Sequence, residues 1–482
     1  MRVLPQSSWI HRIGSGFLAC NNLTHVVSIL LIFVPLRVFV SLRDGIVSQG
    51  DGVVVTGVEL GRVWVGELTF GQVLSGGGLA SEFMRERTTQ LLYPLLISLQ
   101  GPIGWSVETH ILVLNTILGA SLIAGSYYLA LRLGDKAYAF LVAFLMCSLT
   151  PLYWIARFGI PDNLFYAMLP LFGLSVVNWY QKKTRKSLTI MIIGVIGFAL
   201  TRPEAILVIL AVTLVFAGDF LRRYLSRRFL LVGASLSLAM MCGAVIAVLS
   251  SPPVETMLVT FKDGPATVPS LKVTSIVNMS DFDPTIHVRV QNRPPRPPSF
   301  YWDLFSRGHI SWGLAMSSQT LLNKGGAEFD RLQFSYSRLV GAAWGEGLST
   351  DELSYLMSTD AIEVIRSNPA GYLLKIPIRG LALLFPWTYQ PWSLAHVLYE
   401  AAYTIFLFIG LILLIRRGGF QIPQLVLLAI PFTICLFLSS YGIDNDLKHR
   451  NGIFVGLNQI APLGFFLVPR SRRISPEIDS DR

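Results

Sequence analysis

Charge is scarce in this chain. Only 14% of its 482 residues are Asp, Glu, Lys or Arg, against roughly 25% in an average soluble domain, and 52% are hydrophobic. That balance excludes an ordinary soluble domain and places the chain among membrane proteins. Cysteine is scarce too. Cys20, Cys147, Cys242 and Cys435 are scattered, the last three inside apolar runs, so neither a disulfide framework nor a CxxC metal site is indicated. No internal repeat is visible. The apolar run 23 to 42 also lacks a small-x-small cleavage site, so it reads as an uncleaved signal anchor. The surplus of cations, 39 Lys and Arg against 29 Asp and Glu, lies in clusters between apolar runs. Membrane topology accounts for such clusters, and no nucleic-acid partner is expected.

A helix needs roughly 20 apolar residues to cross about 30 Å of hydrocarbon. The runs 23–42, 108–131, 137–153, 164–180, 187–201, 203–218, 229–250, 397–415, 422–441 and 452–468 predict about ten transmembrane helices and an all-α polytopic membrane fold. Five connections are basic: "RLGDK" (132–136), "QKKTRK" (181–186), "RRYLSRR" (222–228), "RRGG" (416–419) and "RSRR" (470–473). They fall on alternate sides of the ten spans, so all five share one face with both termini. Cytoplasmic loops are enriched in Lys and Arg, which makes that face cytoplasmic and the expected location a plasma (inner) membrane.

The extracytoplasmic face then receives 43–107, the turns around Asp162 and Arg202, the long stretch 251–396, and 442–451. Three units follow. Residues 1–250 form an N-terminal transmembrane module with an extracytoplasmic loop at 43–107. Residues 251–396 form an extracytoplasmic segment, and 397–482 a C-terminal module with a short basic tail. Within the middle unit, the prolines of "NRPPRPPSF" (292–300) favour loop. "STDELSYLMSTDAIEVIRSNP" predicts a helix ending before Pro369, and "AGYLLKIPIRGLALLF" (370–385) an interfacial helix.

Ionisable residues near membrane depth are costly, and here they gather on the extracytoplasmic side. Asp51 and Glu59 follow the first span, Arg85, Glu86 and Arg87 precede "LLYPLL", and Arg157 and Asp162 lie in "YWIARFGIPDNLFYAML". Arg202 and Glu204 lie in "LTRPEAI", and His449 and Arg450 precede the last span. Singly, each has a plain structural reading: a pair at a helix start for Arg202 and Glu204, snorkelling for His449 and Arg450, a turn for Asp51. Together, acids and arginines on one side of an apolar bundle suit a site where a carboxylate accepts a proton while guanidinium forks hold a phosphate.

The order of these pieces resembles the GT-C polyprenyl-phosphate-sugar glycosyltransferases, the group that includes protein O-mannosyltransferases and the aminoarabinose transferase of lipid A. "GDGVVVTGVELGRVW" resembles the first extracytoplasmic motif, an acid followed by an amphipathic helix. "RTTQLLYPLLISL" resembles the motif in which a basic residue precedes a Tyr-Pro-Leu-Leu element, without its usual paired prolines. "LTPLYWIARFGIPDNLFYAMLPLFGL" resembles the segment with the second acid. "GFALTRPEAILVIL" resembles the next hairpin, and "KHRNGIFVGLNQIAPL" the closing arginine motif, with Asn451 where an aromatic residue is commoner. The likeness covers residues 25 to 250 and 395 to 468 and rests on order.

The resemblance implies an inverting transfer of a sugar from a polyprenyl-phosphate donor to an extracytoplasmic glycan, lipid or protein acceptor. Asp51 would be the general base, and Asp162 would face it and orient the acceptor or help hold a divalent metal. Arg87, Arg157, Arg202, Glu204, His449 and Arg450 would surround the substrates, the arginines stabilising the leaving phosphate, while Glu59 ranks as a structural partner. Two acids do not specify a metal site, so metal dependence stays open. Two other classes also fit the composition: an envelope-polysaccharide polymerase or ligase, which needs no early acid, and a transporter, whose polar residues would lie near the midplane.

Overall fold

A computed structural model describes residues 21–47, 52–76, 80, 84, 90–224, 258–261, 264–267, 287–289, 365–366, 368–384, 394–417, 421–441 and 447–466. Their helices, in chain order, are α1 (Asn22–Asp44), α2 (Gly52–Trp64), α3 (Phe70–Ser75), α4 (Leu92–Ser98), α5 (Gln100–Ile103), α6 (Val107–Leu133), α7 (Lys136–Ser148) and α8 (Thr150–Ile155). Then come α9 (Asp162–Lys182), α10 (Arg185–Ala199), α11 (Pro203–Tyr224), α12 (Pro369–Leu384), α13 (Leu394–Arg416), α14 (Ile422–Tyr441), α15 (Leu447–Asn458) and α16 (Leu463–Phe466). The described residues are almost entirely helical. The all-α expectation needs one correction, because the middle unit contains a small antiparallel sheet of order β2-β1-β3, made of β1 (Leu258–Phe261), β2 (Gly264–Thr267) and β3 (His287–Arg289).

Four of these helices are long and apolar enough to cross a membrane: α1, α6, and the stretches Leu398–Arg416 of α13 and Ile422–Ser439 of α14. Their outer faces stay apolar in the folded chain. Leu31 and Ile32 of α1 are 70% and 72% exposed, which suits contact with lipid and not with water. Helices stand where the sequence predicts them after Asp51, as α2, and over 370–385, as α12. The span expected at 229–250, the loop at 292–300 and most of the helix expected before Pro369 lie outside the described residues.

Two expected spans are broken, and proline breaks them. The run 137–153 divides into α7 and α8 because Pro151 has no N–H to give to the Cys147 carbonyl. Tyrosine hydroxyls satisfy the carbonyls left over: Tyr153 donates to Cys147 O at 2.6 Å, Tyr399 to Ser148 O at 2.6 Å and Tyr403 to Leu145 O at 3.0 Å. In hydrocarbon an unmet carbonyl is expensive, so such a break needs these partners. The run 452–468 divides in the same way into α15 and α16 before Pro462.

Helix α9 is the axis of the bundle, packed along α6, α10, α14 and α15. A second, smaller core of Val53, Val54, Tyr93, Ile97, Ile111, Leu118, Leu164 and Ala167 ties α2 and α4 to α6 and α9. Glycines let α2 approach: a Cβ on Gly57 would lie 2.5 Å from Ile97 Cγ2, and one on Gly101 would lie 2.5 Å from Gly61 O. Without a Cβ at these positions the two backbones pack directly against each other. Gly101→Val is therefore expected to destabilise the protein by about 1–3 kcal/mol, as overpacking does, read as a lower midpoint of unfolding in detergent.

At one end of the bundle Gln181 Nε2 donates to Arg132 O at 3.2 Å, joining two of the basic connections. The start of α14, next to a third, lines a cleft with the end of α9. Asp162, at the far end of α9, belongs to the opposite end.

Candidate functional site

The site grows from an irregular stretch between α8 and α9. Residues 156–161 are not a regular helix, so their carbonyls need other donors. Two buried asparagines supply donors for the Ala156 and Phe158 carbonyls, and buried Arg37 braces the adjoining end of α8. Asn115 Nδ2 donates to Ala156 O at 2.7 Å and Phe158 O at 2.9 Å, and its Oδ1 accepts from Tyr93 OH at 2.8 Å. Asn163 Nδ2 donates to Ile155 O at 3.1 Å and Phe158 O at 3.2 Å. Arg37 Nη1 donates to Leu152 O at 2.7 Å, and Nη2 to Asn163 Oδ1 at 3.0 Å.

Asn115→Leu keeps the side-chain size and leaves the Tyr93 hydroxyl and the Ala156 carbonyl without their partner. A loss of about 1–3 kcal/mol follows, measurable as a lowered unfolding midpoint. Retention of wild-type stability would show that water reaches this turn.

Arg37 is 2% exposed and forms no ion pair with a described carboxylate. It lies in a notch of α6 at Gly119, where an added Cβ would come within 2.8 Å of its Nε. Sequence reasoning passed over it, although an arginine inside "LIFVPLRVFVSL" carries its own signal, since such residues rarely lie in apolar spans without a task.

On this pinned turn the chain places two acids in matching settings. Asp162 opens α9 after Pro161, and Glu204 stands in the first turn of α11 after Pro203. Each carboxylate meets the positive end of its helix dipole. Between them lies Arg202. Its Nε donates to Glu204 Oε2 at 3.0 Å and its Nη2 to Glu204 Oε1 at 2.7 Å, a bidentate fork, while Nη1 donates to Asp162 Oδ1. Burial works against the Arg202 charge, and the two carboxylates overcome it and hold the guanidinium above its ordinary range. Asp162 Oδ1 also accepts from Tyr166 OH at 3.4 Å. Oδ2 accepts no hydrogen bond from a described residue.

Other elements converge here. Val47 pairs in parallel with Phe158, through Val47 N to Arg157 O at 2.9 Å and Gly159 N to Val47 O at 3.3 Å. Val47 stands four residues before Asp51, and Phe158 four before Asp162. A Cβ on Gly159 would lie 2.5 Å from Val54 Cγ2, so the first turn of α2 lies against the same stretch. Leu92 N donates to Leu200 O at 3.4 Å, joining α4 to the α10–α11 turn. The Arg202 guanidinium lies 5.9 Å from the Phe165 ring centroid. A Cβ on Gly452 of α15 would lie 3.4 Å from Phe165 Cε1.

The structure thus brings Asp162, Arg202 and Glu204 together. Arg202 spends all three of its nitrogens on carboxylates and is a clamp for them, which departs from the expectation that it holds phosphate. Arg157 is turned away: its Nη1 donates to Asp44 O at 2.9 Å and its guanidinium lies 4.8 Å from the Phe158 centroid. Asp51 and Arg87 lie outside the described residues. His449 and Arg450 belong to α15, whose side chains at those positions are likewise outside them. Among the described residues no group of three or more His, Cys, Asp or Glu side chains is placed to hold a metal ion. No protein-family model, curated protein or solved structure matches the chain.

Proposed function

We propose that this chain is an integral-membrane glycosyltransferase of the GT-C type. It would move a sugar from a polyprenyl-phosphate donor to an acceptor hydroxyl on the extracytoplasmic side. One observation carries the reading. The five stretches that resemble that family are far apart in sequence, and they meet around one turn. Val54 of α2 lies against Gly159, α4 reaches Leu200, Arg202 holds Asp162, and α15 lies on Phe165. A gathering at one end of the bundle also disfavours a transporter, whose polar residues would lie at mid-depth.

In this reading the acceptor oxygen attacks the anomeric carbon, and the bond from that carbon to the phosphate oxygen breaks. The bonding pair leaves with the polyprenyl phosphate, and the acceptor proton passes to Asp51. Asp162, fixed by Arg202 through Oδ1, offers Oδ2 to orient the acceptor. Arg87 and Arg450 answer the charge that develops on the leaving phosphate. Arg202 acts through Asp162 and Glu204 and is a positioning residue.

The test is transfer of radiolabelled sugar from synthetic polyprenyl-phosphate donors into a lipid and glycan extract, by purified wild-type protein and by Asp51→Asn. Label moved by the wild type and not by the variant is the expected result, and the labelled product names the acceptor. Equal transfer by both would remove Asp51 from the mechanism and favour a polymerase or ligase. No transfer from any donor would sink the proposal.

A further inference from the structure

The end of the bundle away from Asp162 carries a second feature, independent of the proposed function. Two helices able to cross a membrane mark it as a membrane face: α6 finishes there at Leu133, and α14 starts there at Ile422, which lines one cleft with Gln181. Gln181 Nε2 donates to Arg132 O at 3.2 Å, so the connections after α6 and after α9 lie side by side.

Both connections are basic. Arg132, Lys182, Arg185 and Lys186 are exposed, and none of the four is ion-paired to a described carboxylate. Between Asp162 and Glu204 the sequence holds no acid. Asp135, the acid closest to Arg132 along the chain, spends Oδ1 on the Tyr138 N–H at 2.8 Å as the cap of α7. Directly beyond the cations the surface turns apolar. Arg185, Leu188, Ile192 and Ile196 recur at spacings of three and four along α10, which sets them in one row, and Lys186, Ile190 and Ile193 make a row beside it. All five of these apolar side chains are exposed.

We propose that this surface binds an anionic phospholipid of the adjoining leaflet, with its phosphate on Arg185 and Lys186 and an acyl chain along Leu188, Ile192 and Ile196. Charge complementarity selects the headgroup. Clustered cations beside a bilayer attract net negative charge, whereas a zwitterionic headgroup brings its own ammonium and gains little. Arg132 and Lys182 widen the field without needing to touch the lipid. The apolar row selects a lipid over a soluble phosphate. From Leu188 to Ile196 it runs about 12 Å at 1.5 Å per residue, long enough to cover the upper part of an acyl chain.

The experiment measures lipid binding by native mass spectrometry of the full chain in detergent, with dioleoylphosphatidylglycerol and dioleoylphosphatidylcholine as separate probes. Wild type is expected to favour the glycerol lipid, and added salt should weaken that preference. The double variant Arg185→Gln, Lys186→Gln should bind the glycerol lipid about tenfold more weakly, since each cation near an anionic surface counts separately, and should bind the choline lipid as wild type does. Arg185→Lys with Lys186→Arg keeps both charges and should keep the preference. Arg132→Gln with Lys182→Gln, expected to weaken the preference in part, serves as the second variant if the first does not fold. Unchanged binding by the glutamine variants would overturn the proposal. So would equal binding of both lipids by wild type, or displacement of the glycerol lipid by free glycerol phosphate at equal concentration.

Discussion

Sugar transfer by the Asp51→Asn variant is expected to fall by about 10²- to 10⁴-fold, the usual contribution of a general base. The amide matches the carboxylate in size and still hydrogen-bonds, but it cannot take the acceptor proton. The loss should therefore fall on turnover, with the donor KM nearly unchanged, because the proton moves only as the transition state forms. Asp162→Asn gives the contrast. Its carboxylate is already tied to Arg202, so its removal should lower both the unfolding midpoint and the affinity for acceptor. Initial rates at saturating donor, with unfolding midpoints for each variant, separate the two. If Asp51→Asn keeps its rate while Asp162→Asn folds normally and loses turnover alone, the roles are exchanged and Asp162 is the base.

Geometry around the described neighbours of Asp51 favours the proposed partnership of Asp51 with Asp162. Val47 and Phe158 form a parallel pair, and each precedes its acid by four residues along a chain running in the same direction. Gly52, the residue after Asp51, opens α2, and Val54 two residues later contacts Gly159. The chain on either side of Asp51 is thus held against the stretch that delivers Asp162.

The helices were legible because long apolar runs leave few alternatives, and α1, α6, α13 and α14 fall close to their expected limits. The breaks were not. Pro151 and Pro462 sit in runs apolar enough to read as continuous spans, and what makes the first break tolerable is remote: Tyr399 reaches Ser148 across 251 positions. The strands of the middle unit are only three or four residues long, too short for alternation to stand out.

At the site, proximity in sequence decided what could be read. Arg202 and Glu204 are two residues apart, and their pairing was anticipated as the plain reading. The contact from Arg202 to Asp162 spans 40 positions and exists only because α9 and α11 begin at the same end of the bundle. Asn115 and Asn163 are single polar residues within apolar stretches of the sequence. Their function, holding the carbonyls of an irregular turn, depends on a turn that local propensity does not announce.

The acidic pair sets up the largest expected change in stability. Arg202→Met would leave Asp162 and Glu204 facing each other without a cation, with side-chain exposures of only 7% and 6%. Removing one partner of a buried ionic cluster typically costs about 3–5 kcal/mol, so the unfolding midpoint in detergent should fall sharply. Arg202→Lys should recover only part of the loss, because an ammonium cannot make the bidentate fork to Glu204 and reach Asp162 at once. The triple variant Asp162→Asn, Arg202→Met, Glu204→Gln removes the like-charge repulsion and should be more stable than Arg202→Met alone. It should still transfer no sugar at a useful rate, since Asp162 is lost with the clamp. Stability and activity then part company: neutralising the cluster restores the fold, and only the charged cluster supports the reaction. A triple variant that transfers sugar at the wild-type rate would show that the cluster serves folding alone and that catalysis lies elsewhere.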